Sequence, residues 1–125
     1  MKTIKVLIID EDSEFTSILT DRLGSWGLEA SAANGEEDAL EALTTSRPDV
    51  VVLSLKAQDN KGFDILCKIK ALYPATEVIL LTGKGTALTG MKGIERGAFD
   101  VLSQPIELGL LIDKIRLASN GNPVR

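Results

Sequence analysis

Arg47-Pro48-Asp49-Val50-Val51-Val52-Leu53-Ser54-Leu55 is a proline-led run in which apolar residues follow one another with Ser54 as the single break from Val50 onward. Apolar and polar residues do not alternate in it, so it reads as a strand buried on both faces, the kind found inside a parallel sheet. Two further runs repeat the pattern, Lys5–Ile9 and Glu77–Leu81, and Leu28–Ala32 and Phe99–Leu102 are weaker copies. Helical spacing fills the intervals. Phe15, Ile18, Leu19 and Leu23 form one apolar stripe, Ala39, Leu40 and Leu43 a second, and Ile65, Leu66, Ile69 and Leu72 a third. Ser13 is placed to cap the first helix, Gly24 and Gly27 follow its end, and Pro48 and Pro74 stop the chain ahead of the third and fourth strands.

A fourth helical segment is predicted over Thr86–Arg96, and a fifth from about Glu107, with Leu111, Ile112, Ile115 and Leu117 as its apolar positions. Gly90 and Gly93 lie inside the fourth, each costing about 1 kcal/mol relative to alanine, which predicts a marginal helix. Five strand–helix units in 125 residues predict an α/β doubly wound domain, with a parallel sheet and helices on both faces. Residues 1–119 are read as that single domain, and 120–125, with Gly121 and Pro123, as a tail or the start of a linker.

Composition narrows the chemistry. The sequence has no histidine, which removes an imidazole base, a Ser-His-Asp triad, a histidine metal site and a phosphohistidine carrier. The one cysteine, Cys67, cannot form an intrachain disulfide or a Cys-x-x-Cys pair, and it is read as an inert thiol. A net charge of −4 opposes direct binding to nucleic acid or to an anionic membrane. The apolar run Ile4–Ile9 is interrupted by Lys5 and too short for a signal or spanning segment, so a cytoplasmic location is expected. Trp26, beside the Gly24 and Gly27 turn, is read as a packing anchor.

In doubly wound sheets the functional crevice lies beyond the C-terminal strand ends. The residues found there are Asp10, Glu11 and Asp12; Ser54 and Lys56; Thr82, Gly83 and Lys84; and Ser103, Gln104 and Pro105. Taken one at a time they have plain explanations. Acids at positions 10–12 suit the start of a helix, Lys56 and Lys84 suit solvated loops, and Gly83-Lys84-Gly85-Thr86 has the spacing of neither phosphate-binding glycine motif.

As a set they resemble the receiver domain of two-component response regulators. The resemblance is carried by VLIIDED (6–12), RPDVVVLSL (47–55), KGFDILCKIKALYP (61–74), VILLTG (78–83) and GAFDVLSQP (97–105), and it spans Ile4 to about Ala118. It implies a flavodoxin-like sheet of order 2-1-3-4-5, and a non-enzymatic role in phosphorelay signalling. In that family an aspartate accepts phosphoryl from a histidine kinase, strand-end acids hold Mg²⁺, and a hydroxyl and a lysine bind the phosphoryl oxygens. Hard oxygen ligands suit Mg²⁺, and cations offset the charge of phosphoryl transfer.

Asp10 and Glu11 match the metal-site acids and Thr82 the switch hydroxyl, whereas Ser54 stands in the place of the phosphoacceptor aspartate, Gln104 in that of the lysine and Val101 in that of the switch aromatic. One carboxylate and one ammonium are lost together, so the formal charge of the pocket is unchanged. With one protein ligand gone, Mg²⁺ binding is expected to be weak or absent, and no other cofactor is implied. Lys56 or Lys84 is expected to supply a cation in the metal's place.

The resemblance therefore implies an atypical receiver that works by protein–protein interaction without aspartyl phosphorylation. Its partner would be a histidine kinase, another regulator, an output domain or a second copy. The expected partner face is the fourth helix, fifth strand and fifth helix, with Met91, Ile94, Val101, Pro105 and Leu108. Two alternatives remain open: a working relay component with Asp59 or Asp12 as substitute acceptor, or a small-molecule-binding pseudo-receiver.

Overall fold

A computed structural model describes residues 3–55, 60–83 and 87–120. The strands are β1 (Lys5–Ile9), β2 (Glu29–Ala33), β3 (Val50–Leu55), β4 (Glu77–Thr82) and β5 (Asp100–Ser103). They alternate with α1 (Ser13–Ser25), α2 (Glu36–Ser46), α3 (Asn60–Leu72), α4 (Ala87–Glu95) and α5 (Leu108–Ser119). All strands pair in parallel, in the order β2-β1-β3-β4-β5. This is the doubly wound, flavodoxin-like arrangement that the alternation of patterns predicts.

Alternate residues of the central strands feed two cores, one on each face of the sheet. Leu7, Ile9, Val51, Leu53, Leu55, Val78 and Leu80 pack with Ala39 and Leu43 of α2 and Ile65, Leu66 and Ile69 of α3. Val6, Ile8, Val50, Val52, Ile79 and Leu81 pack with Leu19 and Leu23 of α1 and Leu111, Ile112 and Ile115 of α5. Both β3 and β4 are buried nearly throughout, as unbroken apolar runs require. The edge strand β2 is largely exposed apart from Ala33, which is why its sequence pattern is weak.

The fourth helix meets the sheet through the two glycines that weaken its propensity. A Cβ on Gly90 would lie 3.2 Å from Val101 Cγ1, and one on Gly93 would lie 2.2 Å from Leu80 Cδ1. The glycines thus let the α4 backbone approach β4 and β5 closely, a packing role that helix propensity alone does not reveal.

Three local expectations are corrected. The cap of α1 is Asp12, one residue before Ser13: its Oδ1 accepts from the amides of Glu14 at 3.0 Å and Phe15 at 3.1 Å, and Ser13 is the first helical residue. A carboxylate there satisfies two end-of-helix donors and also meets the positive end of the helix dipole. Trp26 follows the end of α1 as its C-cap residue and is 56% exposed, so it does not anchor the core. Leu117 is 48% exposed on α5, because Leu111, Ile112, Ile115 and Ala118 already fill the buried stripe. Cys67 is exposed on α3.

Removal of the cap gives a direct check. Asp12→Ala should destabilise the fold by about 1 kcal/mol, measured by urea denaturation with an unchanged m-value.

Candidate functional site

β1 and β3 lie side by side, with Ile9 in register with Leu53. The residues that follow, Asp10 and Ser54, are therefore carried to the same edge of the sheet. The Asp10 amide donates to Ala33 O at 3.2 Å, and Asn34 Nδ2 donates to Asp10 O at 2.8 Å and to the buried Thr16 Oγ1 at 3.0 Å. These bonds tie the end of β1 to the end of β2 and to α1. The side chain of Asp10 turns forward, its Oδ1 accepting from the Asp12 amide at 3.0 Å.

A cleft of about 260 Å³ opens over this edge. Ile9, Leu53 and Ile65 are its apolar lining, Asp10, Glu11 and Glu36 supply carboxylates, and Ser54, Lys61 and Gly62 complete it on the β3 and α3 side. Glu36 begins α2 and is ion-paired with Lys68 of α3, so one acid of the cleft is also a tie between two helices. That contact raises the Lys68 ammonium above its ordinary pKa, first through the hydrogen bond to Glu36 and then through its charge. Gly62 is buried, and a Cβ there would lie 2.1 Å from Leu55 Cδ2. Its lack of a side chain lets the first turn of α3 sit directly on the end of β3.

Ser54 lines the cleft, yet its Oγ is closed off from solvent and has no hydrogen-bond partner among the described residues. Desolvating a hydroxyl without a compensating bond is unfavourable. The position is therefore occupied by a small neutral group that no described residue engages.

Asp10, Glu11 and Ser54, picked out from the strand ends, thus do come together. Thr82 does not line this cleft: it is 2% exposed, in register with Leu55 and Ser103, and its carbonyl accepts from the Gln104 amide at 2.8 Å. Gln104, joined to Pro105 by a cis peptide bond, lines a separate groove with Phe15, Ile18 and Arg22 of α1 and with Ile106 and Leu108. Lys56, Lys84 and Asp59 lie outside the described residues.

Lys61 and Glu36 are the charged residues of the cleft that sequence reading missed. Both lie at helix starts next to a glycine, Gly35-Glu36 and Lys61-Gly62, and that adjacency in the chain was the available signal. The proposed partner residues divide. Met91 and Ile94 are 60% and 48% exposed on α4, and Val101 is half-buried against Gly90. Pro105 and Leu108 belong to the groove beside α1. Beside Val101, Asp100 pairs with Lys114 of α5 at 2.7 Å.

Mg²⁺ favours six oxygens, commonly one or two carboxylates with waters or phosphate oxygens completing the set, and at this cleft Asp10 and Glu11 are the acids placed to supply them. No group of three or more acidic, cysteine or histidine side chains able to hold a metal occurs among the described residues. Ser54 adds no anionic oxygen, and Lys61 brings a positive charge to the same cleft.

Comparison with known proteins agrees with this geometry. The family profile described as "Response regulator receiver domain" matches residues 6–116. Among curated relatives, the chain is 29% identical over 118 residues to the response regulator protein PilR of Pseudomonas aeruginosa, covering 94% of this chain and 26% of PilR. It is 34% identical over 112 residues to the transcriptional regulatory protein CpxR of Klebsiella pneumoniae, covering 90% of this chain and 47% of CpxR. The chain thus spans a quarter to a half of the length of these relatives. Among solved structures, a response regulator receiver domain protein from Clostridium thermocellum superposes with a TM-score of 0.84 at 30% identity, covering 94% of each chain. The receiver domain of NtrX from Brucella abortus gives 0.85 at 26% identity, covering 92% of this chain and 98% of that one. With the profile matching most of its length, the chain belongs to the response regulator receiver domain family of two-component signalling.

Proposed function

We propose that this receiver domain signals through protein–protein contact without aspartyl phosphorylation. Ser54 carries the reading. It stands at the cleft end of β3 where phosphoryl acceptance needs a carboxylate, and its Oγ is buried without a partner among the described residues. An alkoxide would require a neighbouring base, and the sequence has no histidine to provide one. Gln104, in the place of the lysine, brings no ammonium to offset the charge of a phosphoryl group.

Of the alternatives, Asp59 as acceptor lies outside the described residues, and the other two have less support. Asp12, as a substitute acceptor, spends its Oδ1 on the α1 cap and does not line the cleft. A small molecule over Ser54 would have a cleft of about 260 Å³ lined by three carboxylates, a small and charged space compared with the roughly 300–1,000 Å³, mostly apolar pockets usual for such ligands.

The partner in this reading is a protein: a histidine kinase, another regulator, an output domain or a second copy of the chain. Met91 and Ile94 on α4 and Leu110 and Leu117 on α5 give the α4–β5–α5 side an exposed apolar character that suits such a contact. A cytoplasmic setting fits, and no helix among the described residues is long and apolar enough to cross a membrane. Any affinity of Asp10 and Glu11 for Mg²⁺ is weak in this reading.

Two measurements check it. Incubated with Mg²⁺ and acetyl phosphate, the wild-type chain should keep its unmodified intact mass, whereas Ser54→Asp with Gln104→Lys should gain one phosphoryl group. A stoichiometric adduct on the wild type, mapped to Asp12 or Asp59, would overturn the proposal. Ser54→Ala should leave stability unchanged or raise it by about 0.5–1 kcal/mol in urea denaturation, because the hydroxyl has no bond to lose. A loss of more than about 1 kcal/mol would mean that the hydroxyl is engaged in the native state.

A further inference from the structure

We infer that the Lys61 ammonium is the resident cation of the acidic cleft, so that the chain itself, and not a divalent metal, balances the carboxylates there. The inference rests on the reading above only in that Ser54 contributes no carboxylate to the cleft. Asp10, Glu11 and Glu36 all line one cleft of about 260 Å³. Carboxylates lining one cleft repel one another even where they do not converge on one point, and a cation among them lowers that cost. Lys68 is committed to Glu36. Lys61 lines the cleft itself, together with Asp10 and Glu11.

The placement of Lys61 also needs an explanation of its own. It lies in the first turn of α3, and that turn holds no acidic residue. A cation at a helix N-terminus opposes the helix dipole, so this arrangement is unfavourable unless carboxylates face it from elsewhere. They do: Asp10 and Glu11 follow β1, and Glu36 opens the acid-rich first turn of α2. The charges usual for a helix start are thus exchanged across the cleft, with acids on one wall and an ammonium on the other. The contact fixing the second wall is Gly62, whose missing side chain seats α3 on Leu55. The backbone of Lys61 is thereby placed at the end of β3, with its exposed side chain along the cleft. This assigns to Lys61 the metal-replacing role that sequence reading gave to Lys56 or Lys84.

Mn²⁺ is the probe, because it takes the oxygen ligands of Mg²⁺ and broadens nearby amide resonances. The ¹⁵N-labelled full chain is titrated with Mn²⁺ as wild type, Lys61→Gln, Lys61→Arg and Lys68→Gln, and broadening is read at the amides of Asp10, Glu11, Asp12 and Ser54. The same spectra report that each variant is folded. Lys61→Gln should tighten Mn²⁺ binding by about tenfold or more, Lys61→Arg should stay within about twofold of wild type, and Lys68→Gln should change it less than Lys61→Gln. Unchanged binding by Lys61→Gln overturns the assignment. So does equal tightening by Lys61→Arg, where the charge is kept, or by Lys68→Gln, where a general loss of positive charge would be at work. Treating the wild-type chain with Mg²⁺ and acetyl phosphate separates the two readings: a phosphoryl adduct there would refute the phosphorylation-free function and leave the cation assignment standing on the Mn²⁺ result.

Discussion

Val50 to Leu53 and Leu55 are buried, on both faces of the sheet, and no single layer of helices can cover both. With β1 on one side and β4 on the other, the backbone polar groups of β3 are paired in the ladder, and its side chains need two separate apolar layers. α2, α3 and α4 supply one layer, and α1 and α5 the other. Parallel pairing then brings every strand to an end at the same edge. The site follows from this constraint: the chain leaves β1 at Asp10 while β3 ends at Leu55, and Asp10, Glu11 and Ser54 line one cleft with the apolar Ile9 and Leu53.

On the proposed reading, charge at this edge is what separates the chain from a phosphoryl-accepting receiver. A phosphoryl site needs an anionic acceptor and cations that gain in value as negative charge arrives. On that reading the acceptor position is a neutral serine whose hydroxyl is closed off from solvent, and the matching lysine position is a glutamine that lines a different groove. Losing both together is electrostatically coherent, since an ammonium kept beside a serine would lose its nearest partner. The acids remaining at Asp10 and Glu11, with Glu36 added from α2, line the same cleft as Lys61 of α3. On this account the cleft has become an internal polar contact between elements, and the α4–β5–α5 side, with Met91 and Ile94 exposed, is the surface left for signalling.

The elements legible in the sequence were those whose burial is complete. β1 and β3 read out with their observed bounds, and β4 ran one residue further, to Thr82, because two-sided burial leaves unbroken apolar runs. β2 and β5 were placed to within one residue at their starts but carried a weaker pattern, because their faces are only partly covered. The cap of α1 moved from Ser13 to Asp12 since both types cap well and only the backbone decides which precedes the first turn. Trp26 shows the opposite limit: a large apolar side chain next to a turn has no periodicity to say which way it points, and it points outward. Gly90 and Gly93 register in sequence as lost helix propensity, while their close approach to Val101 and Leu80 is a tertiary fact. Asp10, Glu11 and Ser54 were found because parallel topology sends all strand ends to one place. Lys61 and Glu36 were not, because they enter from helix starts, whose distance from the strand ends depends on loop paths that the sequence does not state.

The central claim, that this receiver is uncoupled from phosphoryl chemistry at the β3 edge, is tested most directly by NMR with beryllofluoride, a mimic of a bound phosphoryl group. Amide spectra of the wild-type chain are recorded with and without beryllofluoride and Mg²⁺. The account predicts that resonances at Ser54, Thr82 and across α4, β5 and α5 stay in place. Saturable shifts running from Ser54 and Thr82 to Met91, Ile94 and Val101 would contradict it, because they would show the cleft still accepting a phosphoryl-like group and passing the change to the α4–β5–α5 side.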